Sequence, residues 1–182
     1  MRLWIDAGHG GQDPVASFEG IQEKNVVLGI QRELVDLLVY SSIEVWTTRE
    51  ADVFVSLDER CRAANAQVVD LFLSIHCNAD PDPDRPGDPE ATGAECFYVS
   101  PAGLVMADEI GRAMALEFPE EPWRGSKERG LYVLRHTTAV AVLVEVAFID
   151  ASASNEALRK RSTRRRIAFA LLRALCSYQR RV

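Results

Sequence analysis

The chain has 182 residues, of which 47% are hydrophobic and 26% are charged, and its formal net charge at pH 7 is -6. This composition indicates a globular protein with one core and excludes a globally disordered chain. No apolar run approaches the roughly 18–20 residues that a membrane-spanning helix needs. The apolar run at residues 3–5 is too short for a secretory signal, so we expect a chain without an export signal.

The hydrophobic pattern and the turn residues predict an alternation of strands and helices. In chain order, the predicted elements are a strand at residues 2–6, a helix at 22–40, a strand at 43–47, a helix that begins at Ser56 with a capping box completed by Glu59, a strand at 68–76, a loop at 78–93, a strand at 94–100, a helix at 101–118, a loop at 119–130, strands at 131–135 and 140–150, and a helix from Asn155 to about Tyr178. The predicted fold class is therefore α/β, a single domain with a twisted, mostly parallel sheet of about six strands and helices on both faces.

Basic residues concentrate at the C-terminal end, where residues 159–181 hold nine of the 21 lysines and arginines. Such a charge run is usually the solvated face of a helix. The alternative is a surface that attracts an anionic polymer. The net negative charge counts against a nucleic-acid-binding protein, and we expect no nucleic-acid partner.

The four cysteines include no C-x-x-C pair, which argues against a zinc ribbon or a redox motif. We expect free thiols that pack as small hydrophobic side chains. Cys77 directly follows His76 in a predicted strand. Because successive strand side chains point to opposite faces, these two side chains are not expected to reach one centre.

Chemically capable side chains lie where strands end, which is where ligands bind in an open α/β sheet. His9 follows the first predicted strand within the segment GHGG, and His76 ends the third strand. Glu145 lies inside the apolar last strand, and Glu23 lies at the start of the first helix. Burial of Glu145 would raise its pKa, which suits a general acid or base.

Three of these four residues also have a structural interpretation. Glu145 can be a buried carboxylate paired with an arginine, and His76 can be a satisfied histidine of the core. The glycine-rich segment around His9 can cradle a phosphate, although it lacks the lysine or the G-x-G-x-x-G spacing of such loops. Taken together, two histidines and a carboxylate indicate a zinc site whose fourth position is open to water.

Six segments occur in the order seen in one enzyme family: DAGHGGQDP, EKNVVL, TREADVFVSLDERCRAAN, SIHCNA, RGSKERGLYVLR and VLVEVAFID. The chain thereby resembles the zinc-dependent N-acetylmuramoyl-L-alanine amidases of the amidase-3 type. The segment NEALRKRSTRRRIAFALLRAL is similar to the family's last helix. The resemblance therefore extends over nearly the whole chain.

The resemblance implies one zinc ion bound by His9, Glu23 and His76, with Glu145 as the catalytic carboxylate. The implied reaction is hydrolysis of the amide between N-acetylmuramic acid and L-alanine of the peptidoglycan stem peptide. Residues 1–182 would form the catalytic domain, without a separate wall-binding domain. The resemblance assigns no substrate-binding residue, and Arg49 or Arg135 is a candidate for a nearby positive group by its neighbourhood alone.

Several alternatives stay open from the sequence. A non-catalytic regulatory module that binds zinc and the cell wall would have the same fold. The basic C-terminal helix can bind anionic wall polymers in place of a wall-binding domain. We expect a monomer that acts on the cell wall, either as a phage-type lysin released from the cytoplasm or as a domain excised from a secreted amidase.

Overall fold

The structure is a computed structural model that describes residues 1–13, 16–79 and 92–181. Strands and helices alternate along most of this part of the chain. In chain order the elements are β1 (Arg2–Ala7), β2 (Ser17–Phe18), β3 (Ile21–Gln22), α1 (Glu23–Leu38), β4 (Glu44–Thr47), α2 (Leu57–Ala66), β5 (Leu71–Asn78), β6 (Ala94–Tyr98), α3 (Pro101–Glu117), β7 (Trp123–Glu128), α4 (Tyr132–His136), β8 (Val140–Phe148), α5 (Ser152–Arg159) and α6 (Arg161–Gln179).

The main sheet has six strands in the order β4-β1-β5-β8-β6-β7. The first four strands are parallel to one another. β6 is antiparallel to β8, and β7 is parallel to β6. The carboxyl ends of β1, β5 and β8 therefore share one edge of the sheet with the amino ends of β6 and β7. The predicted α/β fold class, with a mostly parallel sheet of six strands, is confirmed.

Apolar side chains cover both faces of the sheet because alternate residues of each strand point to opposite sides. Leu3 and Ile5 of β1 belong to the larger core cluster, which packs against α1, α3 and α6. Trp4 of β1 and Phe72 of β5 belong to a smaller cluster that includes residues of α2 and α4. The prediction of helices on both faces is thus confirmed.

Two predicted elements near the C-terminal half were wrong. The predicted loop at residues 119–130 contains β7, a polar edge strand that Trp123 begins and that pairs only with β6 among the described strands. The predicted strand at residues 131–135 is the short helix α4, in which Val133 and Leu134 are both buried. Edge strands lack an apolar pattern, and a short apolar run has no decisive periodicity.

Local sequence signals predicted the start of α2 correctly but not the bounds of the last helix. The capping box of α2 is present as predicted, with the Ser56 side chain and the Glu59 side chain each bonded to the other's backbone. The predicted last helix is two helices, because the chain breaks between α5 and α6 at Lys160. Asn155 is not a cap but lies inside α5, where its side-chain amide donates to the carbonyls of Phe18 and Ile149.

The remaining predictions about the chain concern its thiols, its membrane-spanning potential and its long loop. All four cysteines are free, and three of them are buried, as expected. Among the described helices, none combines the length and the apolar character needed to cross a membrane. Most of the predicted loop at 78–93 lies outside the described residues, which resume at residue 92.

Candidate active site

Three side chains converge at the edge of the sheet where β1 and β5 end. His9 follows β1, Glu23 is the first residue of α1, and His76 lies near the end of β5. His9 Nε2 lies 3.2 Å from Glu23 Oε2, and His76 Nδ1 lies 3.0 Å from Glu23 Oε1. One donor atom from each residue falls within 4.8 Å of the others. The three residues that the motifs assigned as ligands are therefore neighbours in space.

The glycine-rich loop after β1 allows this convergence in two ways. His9 itself has φ 57° and Gly10 has φ 130°, so the backbone passes through the left-handed region directly after β1. A non-glycine residue there is uncommon and is typical of a functional site. Gly8 has a steric role instead, because a Cβ at this position would lie 2.2 Å from the imidazole ring of His76.

Two buried arginines hold the same loop in place. Arg49 Nη2 donates to the carbonyl oxygen of Gly8 at 2.8 Å. Arg60 Nη2 donates to the carbonyl oxygen of His9 at 2.6 Å, and its Nη1 donates to the Asp6 carboxylate at 2.7 Å. The Arg49 guanidinium therefore lies against carbonyl groups of the loop and supports the backbone around the site. The sequence reasoning did not find Arg60, since only its charge within an otherwise ordinary helix marks it.

The ring of His9 is oriented by a carboxylate that the motif contains but the sequence reasoning did not assign. Asp13 Oδ2 lies 2.9 Å from His9 Nδ1. This contact leaves Nε2 as the nitrogen that points toward Glu23. A carboxylate behind a histidine ligand is the usual arrangement at metal sites because it sets the tautomer and the ring orientation.

The electrostatics of the three residues favour a charged carboxylate beside the imidazoles. Burial alone would raise the pKa of Glu23, but hydrogen bonds from His76 and His9 lower this pKa to about 2. Burial alone would lower the pKa of His76, but its hydrogen bond with Glu23 raises it above the usual value. Two nitrogen donors and one carboxylate oxygen, with Asp13 behind His9, fit a catalytic zinc site.

Glu145 lies beside this group without belonging to it. Its Cα is the partner of His76 across the parallel pair of β5 and β8, so both side chains leave the sheet on the same face. Its Oε2 atom is buried and has no hydrogen-bond partner among the described residues. Burial raises the pKa of Glu145 to about 7. No arginine of the described residues forms an ion pair with this carboxylate. The interpretation of Glu145 as a structural carboxylate paired with an arginine is therefore not supported in this part of the chain.

A cleft of about 440 Å³ opens onto His9 and His76. Phe54, Leu57 and Tyr132 line it, and their exposed fractions are 58%, 53% and 40%. Large apolar side chains at such exposure are typical of a binding surface when they lie together. The cleft therefore offers an apolar wall next to His9 and His76.

Comparison with known proteins identifies the family. A family model described as N-acetylmuramoyl-L-alanine amidase, of the amidase-3 type, matches residues 3–177. The chain is 36% identical over 170 residues to an endolysin of Bacillus phage SPP1, which covers 88% of this chain and 59% of the endolysin. It is 34% identical over 168 residues to the N-acetylmuramoyl-L-alanine amidase CwlM of Bacillus licheniformis, covering 87% of this chain and 61% of CwlM.

The fold of this chain is also similar to that of a solved amidase structure. The N-acetylmuramoyl-L-alanine amidase AmiC2 of Nostoc punctiforme superposes with a TM-score of 0.91 at 28% identity, over 99% of this chain and 97% of that one. The chain thus spans about three fifths of the length of the phage endolysin and of CwlM, and nearly all of the AmiC2 structure. The resemblance drawn from the motifs is confirmed: this chain belongs to the amidase-3 family of N-acetylmuramoyl-L-alanine amidases.

Proposed function

We propose that this chain is a zinc-dependent peptidoglycan hydrolase that cleaves the amide between N-acetylmuramic acid and L-alanine of the stem peptide. One observation carries the proposal: Glu145, whose Oε2 atom is buried and has no hydrogen-bond partner among the described residues, lies beside three residues that can bind one zinc ion. His9, Glu23 and His76 are the proposed ligands. Residues 1–182 are proposed to act as one catalytic domain.

The residues of the site divide the chemistry among them. A zinc ion bound by two histidines and a glutamate supplies a Lewis acid that polarises a carbonyl group and acidifies a water. Glu145 takes a proton from the attacking water and then gives it to the amine nitrogen of alanine as the carbon–nitrogen bond breaks. A carboxyl group with a pKa of about 7 can exchange a proton in both directions near neutral pH.

The substrate proposal is tested by mass spectrometry of purified peptidoglycan after incubation with the protein. We expect free stem peptides that begin at L-alanine, and we expect them to disappear when a chelator is added and to return with zinc. Glu145→Gln is expected to reduce the rate at least about 100-fold, because general acid–base catalysis contributes 10²–10⁴-fold. Its zinc content is expected to stay at one ion per chain, since Glu145 lies outside the ligand group.

Other products would contradict the proposal. New reducing sugar ends, or cuts within the peptide, would show that a different bond is cleaved. Intact peptide–glycan linkages on several wall types, combined with retained zinc and retained wall binding, would favour the non-catalytic regulatory module of the same fold.

The basic C-terminal run is largely engaged within the chain. Arg164 donates to main-chain carbonyls, while Arg165 and Arg166 form ion pairs with Glu33 and Glu117. Reversing these three charges would therefore disturb the packing of α6 as well as any surface. A test of polymer binding has to use other arginines of the run.

We propose that anionic wall polymers contact Arg173 and Arg180, two exposed arginines of the groove between α3 and α6. The double variant Arg173→Gln, Arg180→Gln is expected to weaken retention on intact walls at low salt, because exposed charges act through screened attraction. Hydrolysis of short soluble substrates by a monomeric enzyme is expected to stay unchanged. Unchanged retention of the double variant on walls would remove the polymer proposal.

A further inference from the structure

A pair of cationic side chains lies two strands beyond Glu145, on β7, and on the same face of the sheet. Glu95 of β6 is the Cα partner of Glu145 across the antiparallel pair of β6 and β8. The Glu95 carboxylate is buried and accepts hydrogen bonds from Arg124 Nε at 3.2 Å and from Lys127 Nζ. Glu95 therefore holds both cations of β7 on the face of the sheet from which the Glu145 side chain projects.

A bulge in β7 is what brings both cations to this face. Residues 124 and 127 are three positions apart, so in a regular strand their side chains would point to opposite faces. The register between β6 and β7 shifts between Ala94 and Cys96, where two residues of β7 lie opposite Glu95. One of these is Gly125, with φ 104°. The extra residue of a bulge turns the side chains that follow it to the opposite face of the sheet. Lys127 therefore reaches the same carboxylate as Arg124.

The two cations exceed what the buried carboxylate requires. Glu95 carries one negative charge, whereas Arg124 and Lys127 together carry two positive charges. One cation would be enough to neutralise the buried group, so among the described residues these three side chains carry an excess of one positive charge. The side chains of Arg124 and Lys127 are 37% and 44% exposed, so this excess faces solvent.

The arginine of this pair is held in position by further contacts. Its guanidinium lies 4.9 Å from the ring centroid of Phe148, and its Nη1 donates to the carbonyl oxygen of Thr92 at 3.3 Å. Asn78 Nδ2 donates to the other oxygen of Glu95 at 3.3 Å. The cluster is therefore a built feature of the sheet edge rather than two surface side chains that happen to be close.

We propose that Arg124 and Lys127 bind a free carboxylate of the stem peptide, on the alanine side of the amide that is cleaved. This inference rests on the proposed function and specifies the substrate further. On the side of the site toward α2 and α4, the exposed lining side chains of Phe54, Leu57 and Tyr132 carry no charge. Arg60 also lines this side, but its guanidinium is buried and is bonded to the Asp6 carboxylate and to backbone carbonyl oxygens. The substrate therefore lies with its glycan toward this apolar wall and its peptide toward β6 and β7.

The distances suit a carboxylate close to the cleaved bond. Adjacent strands are about 4.8 Å apart, so β7 lies about two strand spacings from Glu145. An extended peptide advances about 3.5 Å per residue. The free carboxylate on the second residue of the stem peptide therefore reaches Lys127 when the alanine nitrogen is beside Glu145.

Binding of product peptides tests the proposal without depending on hydrolysis. The probes are the tripeptide L-alanyl-γ-D-glutamyl-L-lysine with its glutamyl carboxylate free, and the same tripeptide with that group converted to a carboxamide. For the zinc-loaded protein we expect calorimetry or NMR titration to give about tenfold tighter binding of the free acid, as charge-assisted hydrogen bonds provide. Lys127→Gln is expected to abolish this preference, while Arg124 still pairs with Glu95 and preserves the fold.

A matched lysine variant controls for general charge effects. Lys160→Gln removes an exposed lysine that pairs with Glu156 in a different element, and we expect it to keep the tenfold preference. With the corresponding N-acetylmuramyl peptides, Lys127→Gln is expected to raise KM for the free acid about tenfold, with kcat and the carboxamide substrate nearly unchanged.

Two results separate this inference from the proposed function. Equal binding of the acid and the carboxamide to the wild-type protein would overturn the inference, whether or not the enzyme cleaves peptidoglycan. Failure to cleave any N-acetylmuramyl peptide would overturn the proposed function. A preference that persists undiminished in Lys127→Gln would show that Lys127 does not contact the carboxylate and would overturn the proposal for this pair.

Discussion

At the scale of single residues, the histidine at the end of β5 is constrained from two sides. Its ring packs against Gly8, where no Cβ can be accommodated, and its Nδ1 faces Glu23 at 3.0 Å. The backbone of the glycine loop therefore limits where His76, a proposed ligand from another strand, can lie. Such support from neighbouring groups is as important to a metal site as the ligands themselves.

Gly8→Ala is expected to displace His76 and to lower zinc affinity at least about tenfold, the usual loss when support of a ligand is removed. The cause is overlap, since the new Cβ would lie 2.2 Å from the ring. Zinc affinity is measured by competition with a chelating dye. Gly20→Ala is the control: a Cβ there meets no atom within 4 Å, although its φ of 80° brings backbone strain. Equal zinc affinity of Gly8→Ala and the wild type would contradict the steric argument.

The protonation of His76 predicts a pH dependence of zinc binding. Its contact with Glu23 raises the pKa of His76 above its usual value of 6.5, so more of the imidazole carries a proton near neutral pH. Metal binding requires the neutral ring and must release that proton. We expect apparent zinc affinity to rise as pH increases through about 6 to 8. Calorimetry in buffers of different ionisation enthalpy measures the proton release. A zinc affinity that does not change with pH would contradict this prediction.

At the scale of elements, the loop after β1 depends on a side chain from a helix on the other side of the sheet edge. Arg60 of α2 joins the Asp6 carboxylate to the carbonyl oxygen of His9, and both charged side chains are almost fully buried. Burial alone would raise the pKa of Asp6, but the charge of Arg60 and the hydrogen bond from Ser74 lower it. The ion pair therefore couples α2, β1 and the loop that carries His9.

Arg60→Met is expected to lower the free energy of unfolding by about 3–5 kcal/mol, because it leaves a buried carboxylate without its partner. Chemical denaturation at neutral pH measures the loss. The double variant Asp6→Asn, Arg60→Met removes both charges, and we expect it to be more stable than the single variant. Arg62→Met on the same helix is the control, since Arg62 is exposed and pairs only with Asp58 among the described residues.

The same ion pair predicts how stability changes with acid. Because the folded-state pKa of Asp6 lies below its unfolded value near 3.8, its contribution is fully present above that value and is lost as pH falls through the lower folded pKa. In the double variant this part of the acid dependence is expected to disappear. A comparison of unfolding free energies between about pH 5 and 3 measures the difference.

At the scale of the whole molecule, the first and last helices are joined by charge as well as by apolar packing. Glu33 of α1 is nearly buried and accepts hydrogen bonds from Arg161 at 2.5 Å and Arg165 at 3.0 Å. α1 also begins with Glu23, a proposed zinc ligand. The contact between α1 and α6 thus connects the C-terminal end of the chain to the helix that carries part of the site.

Glu33→Gln is expected to lower the free energy of unfolding by about 1 kcal/mol, since the arginines are more than half exposed and solvent screens the pair. This corresponds to a fall in Tm of about 2–4 °C for a domain of this size. The fall is expected to shrink at high salt, because screening weakens the wild-type pair. Glu156→Gln removes an exposed partner of Lys160 and is expected to leave Tm unchanged. A salt-independent loss in Glu33→Gln would assign the effect to packing.

The sequence by itself determined the fold class, the family and the residues proposed as ligands. These depend on local signals: an apolar strand before His9, a capping box at Ser56, an apolar run around Glu145. Each of these signals lies within about ten residues, and the six family segments, which have 6 to 18 residues each, occur in a fixed order within the part of the chain that the family model matches.

Only the tertiary structure decided what lies around those residues. β6 and β7 run opposite to the other strands of the main sheet. Glu95 and Arg124 therefore come to the site from the amino ends of their strands, whereas the sequence pattern directs attention to residues at carboxyl ends. Arg60 meets Asp6 across 54 positions of the chain. Such pairings are selected by the register and direction of packed elements, which depend on contacts between distant segments and leave no periodic trace in the chain.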